Sequence, residues 1–171
     1  IAADPRIRKD HQALAEAAAV VGSVQIRDRA TLAGNICNAS PAADTAPALL
    51  VDDAVVCVVG PDGARRIAID DFFVRSGVTT LARGELVTAI ELPKPTTPRG
   101  FVHVRRTRRR GHDLASVTLA VSIAVDDHRP EAGDEVVFTG HVHPWSPGDR
   151  VTLQVRSGAK KSWKNLRTER L

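Results

Sequence analysis

Thr31-Leu32-Ala33-Gly34-Asn35-Ile36-Cys37-Asn38-Ala39-Ser40-Pro41-Ala42-Ala43-Asp44 lies between two apolar segments and collects small residues, side-chain amides, hydroxyls and one carboxylate. Small residues let a ligand approach the backbone closely, and successive free N–H groups in such a run can cradle an anion. Asn35, Asn38, Ser40 and Asp44 supply donors and acceptors that suit the sugar and phosphate parts of a nucleotide. The stretch reads as a binding loop. The same features also serve a structural turn followed by a helix cap, so its neighbours must decide.

Upstream, Asp10 to Val21 has a helical period, with Leu14, Ala17, Ala18 and Val21 on one face, Asp10 as N-cap and Gly22 as stop. Val24 to Arg27 is expected to be extended and to deliver the chain into the loop. Downstream, Ser40 is the expected N-cap of a second helix, with Pro41 in its first turn, Ala42 to Val51 as its body and Asp44 near the positive end of its dipole.

Ala54 to Val59 and Arg65 to Ile69, joined by Gly60-Pro61-Asp62-Gly63, predict a hairpin. Asp70 to Phe73 predicts a helical turn burying two Phe. Glu85 to Leu92 alternates as a strand, with Leu86, Thr88, Ile90 and Leu92 on one face, and ends at Pro93. Lys94 to Gly100 is a linker, and Phe101 to Arg106 and Leu114 to Val125 are further strands. Asp126 to Asp134 is polar and breaker-rich, as a boundary would be. Beyond it Glu135 to Val142, Arg150 to Arg156 and Ser162 to Arg167 are strand candidates, with Pro144 to Asp149 as a turn.

At 171 residues the chain has room for one domain plus a small module, and 43% hydrophobic residues suffice for a core. No apolar run approaches the roughly 18 residues of a membrane span. The start, Ile1-Ala2-Ala3-Asp4-Pro5, lacks a signal-peptide layout and an initiator Met, which fits an excerpt of a longer protein. Cys37 and Cys57 form neither a metal pattern nor a disulfide framework and read as reduced thiols of a cytoplasmic protein. The net charge of +4 is local, coming largely from Arg105, Arg106, Arg108, Arg109 and Arg110. That cluster has no interleaved aromatic platform, so it reads as a solvated face or subunit contact, not a nucleic-acid site. His141 and His143 share a strand face but lack a third ligand, and no metal site is expected. No catalytic constellation stands out.

Several ordered motifs carry a family resemblance. Gln25-Ile26-Arg27-Asp28-Arg29-Ala30-Thr31-Leu32-Ala33-Gly34-Asn35, then Ala39 to Asp44 and Pro47 to Leu50, resemble the flavin-binding subunit of molybdenum hydroxylases, the group of carbon monoxide and xanthine dehydrogenases. Asp71-Phe72-Phe73, Thr80-Leu81, Gly84-Glu85-Leu86-Val87 and Ile90-Glu91-Leu92-Pro93 continue the match in order, and Arg109-Arg110 with Asp113-Leu114-Ala115 resembles the start of the family's last subdomain. The match runs over about residues 10 to 126.

The resemblance implies a subunit that holds FAD and passes electrons between an iron–sulfur subunit and an external acceptor, with a molybdopterin subunit beside it in the complex. It puts Thr31, Ala33, Gly34 and Asn35 along the FAD diphosphate. Asn38 and Asp44 would meet flavin-side or sugar hydroxyls, and Leu86 or Val87 would pack on the isoalloxazine ring. Arg105 stands where the family has a lysine near the flavin, a cation suited to reduced, anionic flavin. Ala33 replaces a family glycine, adding a methyl group at the closest approach. The family's first glycine-rich loop has no counterpart before Asp10, so a truncated form of the subunit is expected. The tail, through Gly133 to Gly140 and Pro147 to Gln154, resembles a bacterial Ig-like β-sandwich repeat.

The expected fold is α+β, an antiparallel sheet with helices packed on one face and a β-rich C-terminal tail. Residues 1–93 are expected to form a partial FAD-binding subdomain, 94–126 the start of the flavoprotein C-terminal subdomain, and 127–171 the β-rich tail. The alternative to a flavin subunit is a non-catalytic fusion remnant or β-sandwich interaction module without bound flavin.

Overall fold

The computed structural model describes residues 1–96, 99–109 and 113–123, and the backbone alone of 124–125, 138–143, 150–155 and 164–170. Arg110, the Asp126 to Asp134 boundary, the Pro144 to Asp149 turn and half of the Ig-like motifs lie outside the described residues.

The chain opens with α1 (Pro5–Asp10), capped by Asp4, whose carboxylate accepts from Arg6 N at 2.9 Å. Helix α2 (Gln12–Val20) follows at once, burying Ala13, Leu14 and Ala17. Asp10 therefore ends one helix instead of capping the next, and His11 takes the cap position of α2. Gly22 follows at φ +49°, where a Cβ would meet Ile26 at 2.9 Å.

Val24 to Arg27 is helical, not extended. Ser23 Oγ accepts from Ile26 N at 3.3 Å and nucleates α3 (Val24–Arg27). The supposed loop likewise holds a helix, α4 (Leu32–Cys37), whose cap Thr31 accepts from Gly34 N at 3.0 Å. The next helix begins later than expected. Ser40 Oγ turns onto Ala42 N at 3.2 Å, and α5 (Thr45–Val51) starts after Asp44. Its end is a Schellman closure, with Ala54 N donating to Leu49 O and Asp53 N to Leu50 O. Asp53 occupies the left-handed position at φ +51°.

The hairpin forms as read, β1 (Val55–Gly60) and β2 (Gly63–Ala68), with Gly60 opposite Gly63. Helix α6 (Ile69–Phe72) buries Phe72, while Phe73 enters β3 (Phe73–Arg75), which pairs with β4 (Val78–Thr79), and is half-buried. Strand β5 (Leu86–Glu91) completes the antiparallel order β2-β1-β5. Cys57 pairs with Ala89 but Val58 with Val87, leaving Thr88 as a bulge. The bulge changes which residues point inward. Val87 and Ile90 pack on the core and Leu86 faces out, so strict alternation fails at Thr88.

Strands β6 (Arg99–Thr107), β7 (Ala115–Val125) and β8 (Phe138–His143) form a second antiparallel sheet, and β9 (Arg150–Val155) pairs with β10 (Lys164–Arg170). Helix α2 lies on β6 and α5 on β7, while α4 lies beside β5 and α6 beside β1. One core results, built from Leu14, Ile36, Leu49, Val56, Val58, Ile69 and Phe72 and joined by Ala120 of β7. The fold is α+β, antiparallel sheets with packed helices. Among the described residues no helix is long and apolar enough to cross a membrane.

A non-glycine residue in the left-handed region is strained by roughly 1 kcal/mol. Asp53→Gly is therefore expected to raise the urea-unfolding free energy by about that amount, and an unchanged or lower midpoint would contradict the Schellman closure.

Candidate functional site

The small-residue stretch is folded around α4 and its junction with α5. Thr31 caps the helix, Ala33 and Gly34 fill its first turn, and the Asn35 side chain turns toward α5, where Thr45 Oγ1 donates to Asn35 Oδ1 at 2.5 Å. Thr31, Asn35 and Thr45 line one recess of about 340 Å³ together with Ala2, Ala18 and Arg27. Its walls are largely apolar, with Ile1, Val21 and Leu32 beside the alanines. Arg27 is fixed there by a bond from Nη1 to Val21 O at 2.9 Å. Asn38, the C-cap of α4, is exposed and does not line this recess.

Asp44 and Arg105 meet elsewhere. Asp44 is only 7% exposed, and its Oδ1 lies 3.3 Å from Arg105 Nε. Alternation along β6 turns Arg99, Phe101, His103 and Arg105 inward. Arg105 also donates to two carbonyls, from Nη1 to Val20 O and from Nη2 to Asp113 O, both at 2.7 Å. The pair borders a recess of about 360 Å³ whose walls include Gly22, Ile26, Ala42 and Leu114. Although adjacent, Asp44 Oδ1 and Arg105 Nε make no aligned hydrogen bond, and both atoms are buried. They face one another as an ion pair at the border of the recess. Leu86, on β5, is 72% exposed and lines neither recess.

Burial pushes the Asp44 carboxyl above the ordinary carboxylate value, against the opposing pull of Arg105, His103 and Thr118. Asp52 at the far end of α5 is also raised by burial, opposed chiefly by His11, whose Nδ1 lies 3.3 Å away, and by Arg99. His103 is lowered by its own burial, with Asp44 and Glu16 pulling the other way. Its backbone N–H donates to Glu16 Oε2 at 3.0 Å, tying β6 to α2. Among the described residues no group of His, Cys, Asp and Glu is arranged to hold a metal.

Sequence reasoning missed Thr45, Arg27, His103 and residues 1–3. Only His103 carried a usable signal, two residues from Arg105 on the same strand face. Thr45 and Arg27 reach the site through a helix boundary and a short helix that periodicity does not reveal.

A family model described as the FAD binding domain in molybdopterin dehydrogenase matches residues 1–95. The xanthine dehydrogenase of Blastobotrys adeninivorans is 32% identical over 158 residues, 91% of this chain and 11% of that protein. The xanthine dehydrogenase FAD-binding subunit of Escherichia coli is 32% identical over 116 residues, 67% of this chain and 40% of that protein. The crystal structure of the Cu,Mo-CO dehydrogenase in its cyanide-inactivated form aligns with a TM-score of 0.71 at 27% identity, covering 82% of this chain and 46% of that one. The chain thus spans less than half the length of each. It belongs to the family of FAD-binding domains of molybdopterin dehydrogenases, whose ligand is FAD. The donor set of Thr31, Asn35, Thr45 and Arg27 along one recess fits a ligand of that polarity.

Removing one partner of a buried ion pair strands the other charge. Arg105→Met is expected to cost about 3–5 kcal/mol in urea unfolding. Adding Asp44→Asn on top is expected to cost little more, because the stranded carboxylate is gone; fully additive losses would refute the pairing.

His103 titrates with the opposite sign to the buried carboxyls. Its folded value lies below the ordinary 6.5, so on acidification the unfolded chain takes the proton first. Its share of stability is present above 6.5 and lost as pH falls toward the folded value. The stability advantage of the native chain over His103→Asn should therefore shrink between neutral and mildly acidic pH, and a pH-independent gap would refute this.

Proposed function

We propose that the chain is the FAD-holding part of an electron-transfer subunit of a molybdenum hydroxylase, passing electrons between an iron–sulfur subunit and an external acceptor beside a molybdopterin subunit. FAD, when bound, supplies the redox chemistry, since it accepts and releases electrons singly or in pairs. The chain's own residues bind, orient and exclude water. The observation that supports this best is the convergence of Thr31, Asn35 and Thr45 on one recess with walls of alanine.

In this reading Thr31, Ala33, Gly34 and Asn35 run along the diphosphate, where exposed backbone at Gly34 permits close approach. The Thr45 hydroxyl holds the Asn35 carbonyl oxygen, leaving its amide N–H groups to face the ligand. Asn38 and Asp44 meet sugar or flavin polar groups, and Leu86 covers the ring. Arg105 acts through Asp44, which it holds in place. Residues 1–93 form the FAD-binding subdomain, 94–126 begin the flavoprotein's C-terminal subdomain and 127–171 form its β-rich tail. A cytoplasmic location accompanies the proposal, being the compartment where the free thiols Cys37 and Cys57 persist.

Purified chain incubated with FAD is expected to keep flavin through desalting, with quenched flavin fluorescence. Asn35→Ala, its helical circular dichroism intact, should bind about tenfold more weakly, a step of roughly 1.4 kcal/mol. No retention at tens of micromolar FAD would overturn the reading.

A further inference from the structure

We propose that the recess between α5, the β3–β4 hairpin and the start of β7 is a second ligand site, which takes a small aromatic carboxylate of one or two rings. It encloses about 280 Å³. A space of ~150 Å³ admits one benzene ring, so two fused rings fit here. The recess shares no lining residue with that of Thr31 and one, Ala115, with that of Asp44 and Arg105. Binding there does not depend on the flavin reading.

The walls are fixed before any ligand arrives. Pro47 and Leu50, three apart on one face of α5, supply one apolar side, and Val117 of β7 supplies another. Phe73 is the aromatic wall. Its ring meets Phe72 edge-on, with centroids 5.3 Å apart and planes at 87°, and Phe72 is fully buried in the core. The hairpin that carries Phe73 and Arg75 is tied back twice. Thr80 N donates to Phe72 O at 3.0 Å, and Gly77 N donates to Ala39 O at 2.9 Å. Ala39, also in the lining, holds φ +44°, in the left-handed region that a residue with a Cβ enters only under strain. Such strain persists where the surrounding structure over-determines it, and it clusters at ligand sites. Walls held in this way lower the ordering cost of binding.

Charge then selects the ligand. Arg75 is the single charged residue of the lining, and among the described residues no carboxylate pairs with it. Ser40, Ser76 and Ser116 add three hydroxyls to the same lining. Ser40 Oγ already accepts from Ala42 N at 3.2 Å, which leaves its O–H to donate. A planar guanidinium meets a carboxylate with two parallel bonds, and hydroxyls satisfy the lone pairs that remain. A few polar groups set in a mostly apolar concavity are the layout of a small-molecule site. Arg75 would repel a cation, and a plain hydrocarbon would leave its donors unused.

The probe is 2-naphthoate, titrated into the full chain by calorimetry with and without FAD, beside its neutral counterpart 2-naphthalenemethanol. One naphthoate should bind per chain, about tenfold more tightly than the alcohol. Arg75→Gln should erase that difference by weakening naphthoate alone. Ala46→Phe, which fills the recess from α5, should abolish binding of both, with helical circular dichroism unchanged. Arg83→Gln, at an exposed arginine outside the lining, should bind as the native chain does. FAD should leave the naphthoate affinity unaltered. No saturable binding at about 1 mM naphthoate, equal affinity for acid and alcohol, native affinity in Arg75→Gln, or competition by FAD would each overturn the second site. A native chain that takes naphthoate but not FAD would leave this site standing and overturn the flavin reading alone.

Discussion

Helix α5 carries a buried carboxylate at each end, and the arrangement of the described residues depends on how those two charges are met. Thr45, Pro47, Ala48, Leu49 and Val51 are all buried, so the helix runs through the core and not over it. Asp44 at its N-terminus has the favourable end of the helix dipole, but Asp52 at its C-terminus has the unfavourable end. Both are buried. The compensation comes from His11 on the Asp52 side, with Arg99 nearby, and from Arg105 on the Asp44 side. Arg99 and Arg105 stand on the inward face of β6. Buried pairs of this kind add little net stability over apolar residues of the same volume, yet breaking one is costly. Their effect here is on register. A shift of β6 would part Arg105 from Asp44 and leave that carboxylate without its partner.

The site inherits that register. Thr45, the first residue of α5, holds Asn35, so the small-residue helix α4 is placed by the helix that the ion pairs fix. Segment 99–125 therefore acts on the binding face without lining the recess of Thr31. It contributes Ala120 to the core, Arg105 to the cap of α5, and the backbone N–H of His103 to Glu16. Its outer face is different. Val102, Val104 and Val117 are exposed there, because alternation on a two-layer sheet must send every second residue away from the helices.

What could be read from the sequence depended on length and on turn chemistry. The hairpin at Gly60 to Gly63 was legible because a continuous β-branched run met two glycines around Pro-Asp. Phe72 was legible as core, as were the strands that became β6 and β7. The short helices α3 and α4 were not. They span too few residues to display a hydrophobic period, and they exist because Ser23 and Thr31 cap them. The start of α5 was misplaced since Ser40 and Asp44 are both good caps by composition, and only the turn at Ala39, φ +44°, sends the chain past the first. The bulge at Thr88 escaped notice because alternation looks unbroken in sequence when one extra residue is accommodated in space. The family descent of the Thr31 to Asp44 stretch was legible, through motifs in order. Its partner Thr45 was not, since nothing local relates a threonine to an asparagine ten positions earlier.

Arg105 illustrates how a resemblance and a structure constrain one another. As a family counterpart it would bring a positive charge toward the flavin. In the folded chain its donors go to the Val20 and Asp113 carbonyls, and its Nε faces Asp44. Carbonyls satisfy N–H groups without cancelling a formal charge, whereas Asp44 cancels it when ionised. With Asp44 ionised the pair is neutral and offers a dipole; with Asp44 protonated, Arg105 presents a full positive charge. Burial already drives Asp44 toward the protonated form, and a negative charge arriving beside the pair drives it further in the same direction.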